Sequence, residues 1–177
     1  YDFLGAVENF FTKCAPAMFM GWSNLNFDRR MFHFNFFKGN RYPYATHSSP
    51  NKEHDGLHIA RAAQTLNSET LKTELTEAGN PSLALESLSR MQGFDTSASH
   101  TAYVDAQNSL KILRIIREKH KEIWQTFLKT STKSSVETIL KSDGVYSIFE
   151  NVKGRNMMYL VSTCLLYTSD AADDFVR

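Results

Sequence analysis

Apolar residues along this chain recur mostly at spacings of three and four, the period of a helix with one buried face. Phe3, Leu4, Val7, Phe10 and Phe11 predict a helix from Tyr1 to Met20, kinked or ended by Pro16. Ile59, Ala62, Ala63 and Leu66 predict a second, opening at Ser49-Pro50, a capping residue followed by a proline suited to the first turn. Ser68 caps a helix through Leu71 and Leu75 that Gly79 ends, and Asn80-Pro81 opens another that stops at Gly93. A long helix is predicted over residues 100–128. Ser134 and Glu137 form a capping-box pair for the next helix, which Asp143-Gly144 interrupts, and Val145 to Val152 reads as one more.

One stretch departs from this period. Phe32, Phe34 and Phe36 alternate with Met31, His33 and Asn35, and a period of two predicts an extended segment with the three phenylalanines on one buried face. Gly39-Asn40 then supplies a turn. The expected fold class is all-α, a helical bundle fragment with a long central helix and a small hairpin near 31–44.

Composition alters this picture at the C-terminal end. Residues 164–174 read CLLYTSDAADD, which resembles a translated sequencing-library adapter, so residues 1–163 are expected to form a single helical domain or domain fragment and 164–177 a non-native read-through tail. The chain opens on Tyr1 rather than Met, so a truncated N-terminus is expected as well. The full chain has 20 basic and 19 acidic residues; without Asp170, Asp173, Asp174 and Arg177 it keeps 19 and 16, a mild positive balance that demands neither nucleic acid nor membrane. Outside the tail, Cys14 stands alone, which points to a reducing, cytoplasmic setting, and no run of 18 apolar residues spans a membrane. Most of the 13 phenylalanines precede residue 40, consistent with an aromatic interior or pocket there.

The predicted long helix carries the clearest chemical candidate. Tyr103, Ala106, Leu110, Leu113, Ile116, Ile123, Trp124 and Phe127 form its apolar stripe, and His120 lies within it, four residues from Ile116 and from Trp124. A histidine there needs a partner for its ring nitrogens: a metal, haem iron included, or a backbone carbonyl. His54 and His58 are four apart beside Glu53 and Asp55, a spacing that binds zinc when a third ligand joins, or else a solvated helix start. Arg29 to Tyr44 interleaves aromatic and basic residues. That is the composition of a surface that stacks bases and holds phosphates, or of an aromatic core segment with charged flanks.

Residues 116–128, IREKHKEIWQTFL, resemble the proximal-helix motif of the indoleamine 2,3-dioxygenases, with Arg117 and His120 in its Arg-x-x-His places. Gly21-Trp22 after Phe11, Ala45 with Ser48-Ser49, Asn80-Pro81-Ser82 and Ala102-Tyr103 resemble further landmarks of that family in the same order. The resemblance implies a haem-binding, dioxygen-dependent enzyme that opens an indole ring. His120 would be the metal ligand, Arg117 a second cofactor-binding residue, and Phe11 and Ser48 part of the substrate pocket. A small indole would be the partner, and nucleic acid is not expected. The alternative is a non-catalytic helical interaction module or a nucleoprotein-like nucleic-acid-binding module, in which residues 29–44 form the binding surface.

Overall fold

Two four-residue strands set the positions of the central helices. β1 (Met18–Gly21) and β2 (Lys52–Asp55) pair in parallel, Met18 opposite Lys52 and Gly21 opposite Asp55. A parallel pair requires a crossover, and α2 (Asp28–Lys38) lies within it. The computed structural model describes residues 2–97, 101–142 and 144–162. His100 and the residues of the expected tail, 164–177, lie outside that range. Among the described residues there are seven helices and two two-stranded sheets, so the all-α expectation is corrected to an α/β arrangement.

α1 (Phe3–Cys14) starts at Asp2, whose carboxylate accepts from the Gly5 amide at 2.9 Å, and ends just before Pro16. α3 (Gly56–Leu66) leaves β2 directly, capped by the Asp55 carboxylate on the Leu57 amide at 3.0 Å. Gly56 is required by close approach: a Cβ there would sit 3.0 Å from the Gly21 carbonyl oxygen and 3.3 Å from both Leu113 methyls. α3 presents Ile59, Ala60 and Ala63 to α4 (Leu85–Met91) and α5 (Ala102–Lys119), and together with Leu71, Leu88, Ile112, Leu113 and Ile116 these form the core. Of the predicted stripe on α5, Leu113 and Ile116 are buried, whereas Tyr103 and Leu110 are exposed and the polar Asn108 and Ser109 are inside. The buried face is rotated toward α3 and α4.

Four sequence expectations are corrected here. The hairpin at 31–44 is the helix α2, and its phenylalanines splay around the axis: Phe36 is buried, Phe32 half-buried and Phe34 exposed. Aromatic residues occur all round this helix, so the period of two was a coincidence of composition. The helix expected over 68–79 is irregular, because side chains claim its backbone groups. The Thr70 hydroxyl donates to the Asn67 carbonyl at 2.7 Å, the Gln64 amide oxygen accepts from the Leu71 N–H at 3.0 Å, and Lys119 reaches the Thr70 carbonyl at 2.8 Å. The long helix breaks at His120 (φ −133°, ψ 66°), which separates α5 from α6 (Lys121–Lys129). After α7 (Lys133–Ser142), the segment expected as a final helix is β3 (Tyr146–Val152), paired antiparallel with β4 (Arg155–Val161). Lys153 and Gly154 join them with positive φ at both positions, the two-residue turn that matches strand twist. The hairpin rests on α3, with Arg61 Nε donating to Asn156 Oδ1 at 3.3 Å.

Candidate active site

The loop from Trp22 to Phe27 joins β1 to α2 and is held from below by two buried carboxylates of β2. Asp55 accepts from the Ser23 amide at 2.8 Å and the Leu25 amide at 3.3 Å in addition to capping α3. Glu53 accepts from Arg29 Nε at 2.8 Å, Asn24 Nδ2 at 3.1 Å and Thr46 Oγ1 at 3.4 Å. Asn24 in turn accepts from the Gly21 amide at 3.1 Å, and a Cβ at Gly21 would come within 2.8 Å of the Asn24 Cβ. Buried acids are tolerated because each oxygen has donors. This scaffold fixes the first turn of α2, and with it Asp28.

Asp28 faces a cavity of about 830 Å³ bounded by β1, α2 and one side of α5. Across it, α5 contributes Asp105, Ser109 and Leu113, then Arg114 and Arg117. From Asp105 to Arg117 the helix rises about 18 Å. The cavity is therefore acidic where Asp28 and Asp105 meet it and basic toward the C-terminal end of α5. Phe11, Phe19, Trp22, Phe32 and Trp124 supply aromatic wall. Phe11 stacks edge-on against Phe19 at 5.0 Å and Phe32 at 5.4 Å, and Trp22 Nε1 donates to the Leu83 carbonyl at 3.1 Å, so these walls are fixed. Among the described residues β1 pairs only with β2, and its four residues also line the cavity.

Of the residues singled out in the sequence, Phe11 and Arg117 reach this cavity; His120 and Ser48 are not among its lining. His120 sits at the α5–α6 break with its Nε2 2.6 Å from the Thr70 hydroxyl. Ser48 lies in the loop before β2, its amide donating to the Tyr44 carbonyl at 2.9 Å. His54 belongs to β2 and His58 to α3, so they do not share a helix. His54 packs on Phe127 at 4.9 Å, and its burial, above all, holds its imidazole below the ordinary 6.5. Burial, reinforced by Arg29, likewise lowers His47, with Glu53 opposing. The 3.6 Å approach of His47 to Glu53 is therefore a contact of a neutral ring at pH 7. Among the described residues no three His, Cys, Asp or Glu side chains are grouped as a metal site. Sequence reasoning missed Asp28, Asp105 and Arg114. The one local signal was the small-residue flank of Asp105 on α5, Ala102, Ala106 and Ser109, which leaves room beside that helix.

The chain matches no protein-family profile. It is 25% identical over 122 residues to exodeoxyribonuclease I of Haemophilus influenzae, covering 68% of this chain and 26% of that protein. It is 25% identical over 170 residues to exodeoxyribonuclease I of Buchnera aphidicola, covering 91% of this chain and 34% of that one. The structure of Escherichia coli exonuclease I in complex with a dA16 oligonucleotide superposes with a TM-score of 0.77 at 18% identity, over 89% of this chain and 35% of that chain. The chain thus has the fold of part of exonuclease I and spans between about a quarter and a third of the length of these relatives. These findings overturn the dioxygenase resemblance, with its haem cofactor and indole substrate, and the expectation that nucleic acid is no partner. Of the short matches on which it rested, Phe11, Gly21, Trp22, Ala102 and Arg117 line the cavity, but the expected ligand does not: His120 stands at a break in the helix with its ring bonded to Thr70. No helix among the described residues is long and apolar enough to cross a membrane.

Proposed function

We propose that this chain is a DNA exonuclease module of the exodeoxyribonuclease I kind, acting on single strands with the help of a divalent cation. The observation that carries the reading is the charge of the cavity, which Asp28 and Asp105 line together with Arg114 and Arg117, in a fold shared with an oligonucleotide-binding exonuclease. An oligonucleotide such as dA16 has no complementary partner, so its bases and phosphates are both open to contact. Arginines along a groove neutralise phosphates, and aromatic walls suit exposed bases.

The donor chemistry fits a hard cation. Magnesium is commonly held by one or two carboxylates together with substrate phosphates, keeping several waters, and Asp28 and Asp105 are such a pair. Bound there, the cation supplies a Lewis acid for the scissile phosphate and lowers the pKa of a coordinated water. The chain's own contribution is placement. Glu53 and Asp55 fix the loop that carries Asp28, α5 fixes Asp105, and Arg114 and Arg117 hold the strand along the same helix face.

The test is hydrolysis of 5′-fluorescent dT16 in magnesium by the full chain. Shortened products are expected, absent in excess chelator, and reduced on the order of 100-fold or more by Asp28→Asn or Asp105→Asn. Intact dT16 together with no detectable binding of it to the wild-type chain would overturn the proposal.

A further inference from the structure

The outer side of α2 carries a feature the cavity does not explain. Phe27 is 66% exposed, Met31 48%, Phe34 60% and Phe37 77%, while the inner side buries Phe36 and packs Phe32 against Phe11. At about 100° per residue, Phe27, Met31, Phe34 and Phe37 fall with Arg30 and Lys38 within roughly a third of the helix circumference. That arc contains two cations and no acid, and Lys38 Nζ lies 5.4 Å above the Phe34 ring. Beyond the helix, exposed Tyr42 and Tyr44 stand 5.6 Å apart. Arg41 ties their loop to α1 through Asp2 and Glu8. The core of α2 is satisfied without these rings, and a contiguous exposed apolar patch of this kind marks a binding surface.

We propose that the outer face of α2 is a stacking platform for single-stranded DNA outside the cavity, with Phe34 and Phe37 under the bases and Arg30 and Lys38 on the phosphates. The inference rests on the reading of the cavity as a DNA site and deepens it. The charge of the patch favours nucleic acid over a polypeptide: it is of one sign, complementary to phosphate, and the patch adjoins a cavity-lining residue in sequence, Phe27 preceding Asp28. Phe34 and Phe37 are three residues apart, a spacing that sets Cβ atoms about 5–6 Å from one another on a helix, and stacking on aromatic rings tolerates any base.

The experiment is fluorescence anisotropy on the full chain with three 5′-labelled probes: dT16, dT4 and a 16-unit abasic phosphate polymer. The variant is Phe34→Ala with Phe37→Ala, both on the surface, checked for an unchanged melting curve. The expected result is about tenfold or greater weakening for dT16. Binding of dT4 stays within about twofold of wild type, and binding of the abasic polymer, which has nothing to stack, does not change. Wild-type affinity of the variant for dT16 would overturn the proposal, as would equal weakening for all three probes. Sedimentation that shows wild type self-associating and the variant monomeric, with dT16 binding intact, would assign the face to a second copy instead. Wild type that binds none of the probes would remove the cavity reading first, and the platform with it. Weakened dT16 binding in Arg114→Ala with no effect of the α2 variant would leave the cavity standing and remove the platform alone.

Discussion

α2 and α3 are both 11 residues long, and each follows a strand of the same small sheet, yet they are held in opposite ways. α3 has a side-chain cap, a run of alanines that lets α5 come close, and a face of Ile59, Ala60 and Ala63 that is fully buried. α2 has no side-chain cap, aromatic residues on every side and only Phe36 fully buried. It is pinned at its ends instead, by Arg29 on Glu53 and by the Arg41 loop on α1. One helix is specified by packing. The other is specified by anchors, and its free aromatic face is available for binding.

The contrast is sharpest for truncations. Ile59→Ala on α3, or Ile112→Ala opposite it, should cost about 2–5 kcal/mol in denaturant unfolding, since both are fully buried. Asp55→Ala should come next, at about 2–4 kcal/mol, because it removes the α3 cap and leaves two loop amides without their acceptor. Its loss should also disorder the approach to Asp28 and lower cation affinity, which Ile59→Ala at matched stability should not do. Arg117→Ala should leave stability near wild type and reduce the salt dependence of dT16 binding by about 0.7 in log–log slope, the single-strand value for one phosphate contact.

Acid offers a third probe. His54 and His47 both have folded-state pKa values below 6.5, so as pH falls the unfolded chain takes up these protons first. Their neutral burial costs nothing above about pH 6.5, and stability should decline as pH falls from there toward the folded values. Melting temperatures between pH 7 and pH 5 should show this slope, and His54→Phe, which keeps the packing on Phe127, should flatten it. The smallest effect belongs to α2: Phe37→Ala should change unfolding free energy by no more than about 0.5 kcal/mol. A loss near that of Ile59→Ala would mean the outer face is part of the core, and the comparison would collapse.

Those elements that depend on local pattern were legible in the sequence. Pro16 marked the end of α1, the alanine-rich period marked α3, and Leu113 and Ile116 were correctly placed inside. What escaped was set by tertiary partners. KEHD has no strand signature, and it is a strand because Glu53 and Asp55 find buried donors in a loop some thirty positions earlier. α2 was misread because its phenylalanines serve two different faces. Lys153-Gly154 takes positive φ at both positions without being one of the Asn-Gly or Asp-Gly pairs that announce such a turn, so the hairpin of β3 and β4 had no clear local signal. Asp28 and Asp105 come from separate helices and share a cavity only in the folded chain, so no motif announces them. His120 looked interior on an unbroken helix, and the break at that residue turned its ring to Thr70.

The central claim is that Asp28 and Asp105 jointly hold a divalent cation beside a bound single strand. Manganese titration followed by the electron paramagnetic resonance of the free ion tests it without relying on turnover. With dT16 present, the wild-type chain should remove manganese saturably from solution, and the Asp28→Asn, Asp105→Asn double variant should bind at least about tenfold more weakly while still folding. Equal manganese uptake by wild type and the double variant would contradict the account.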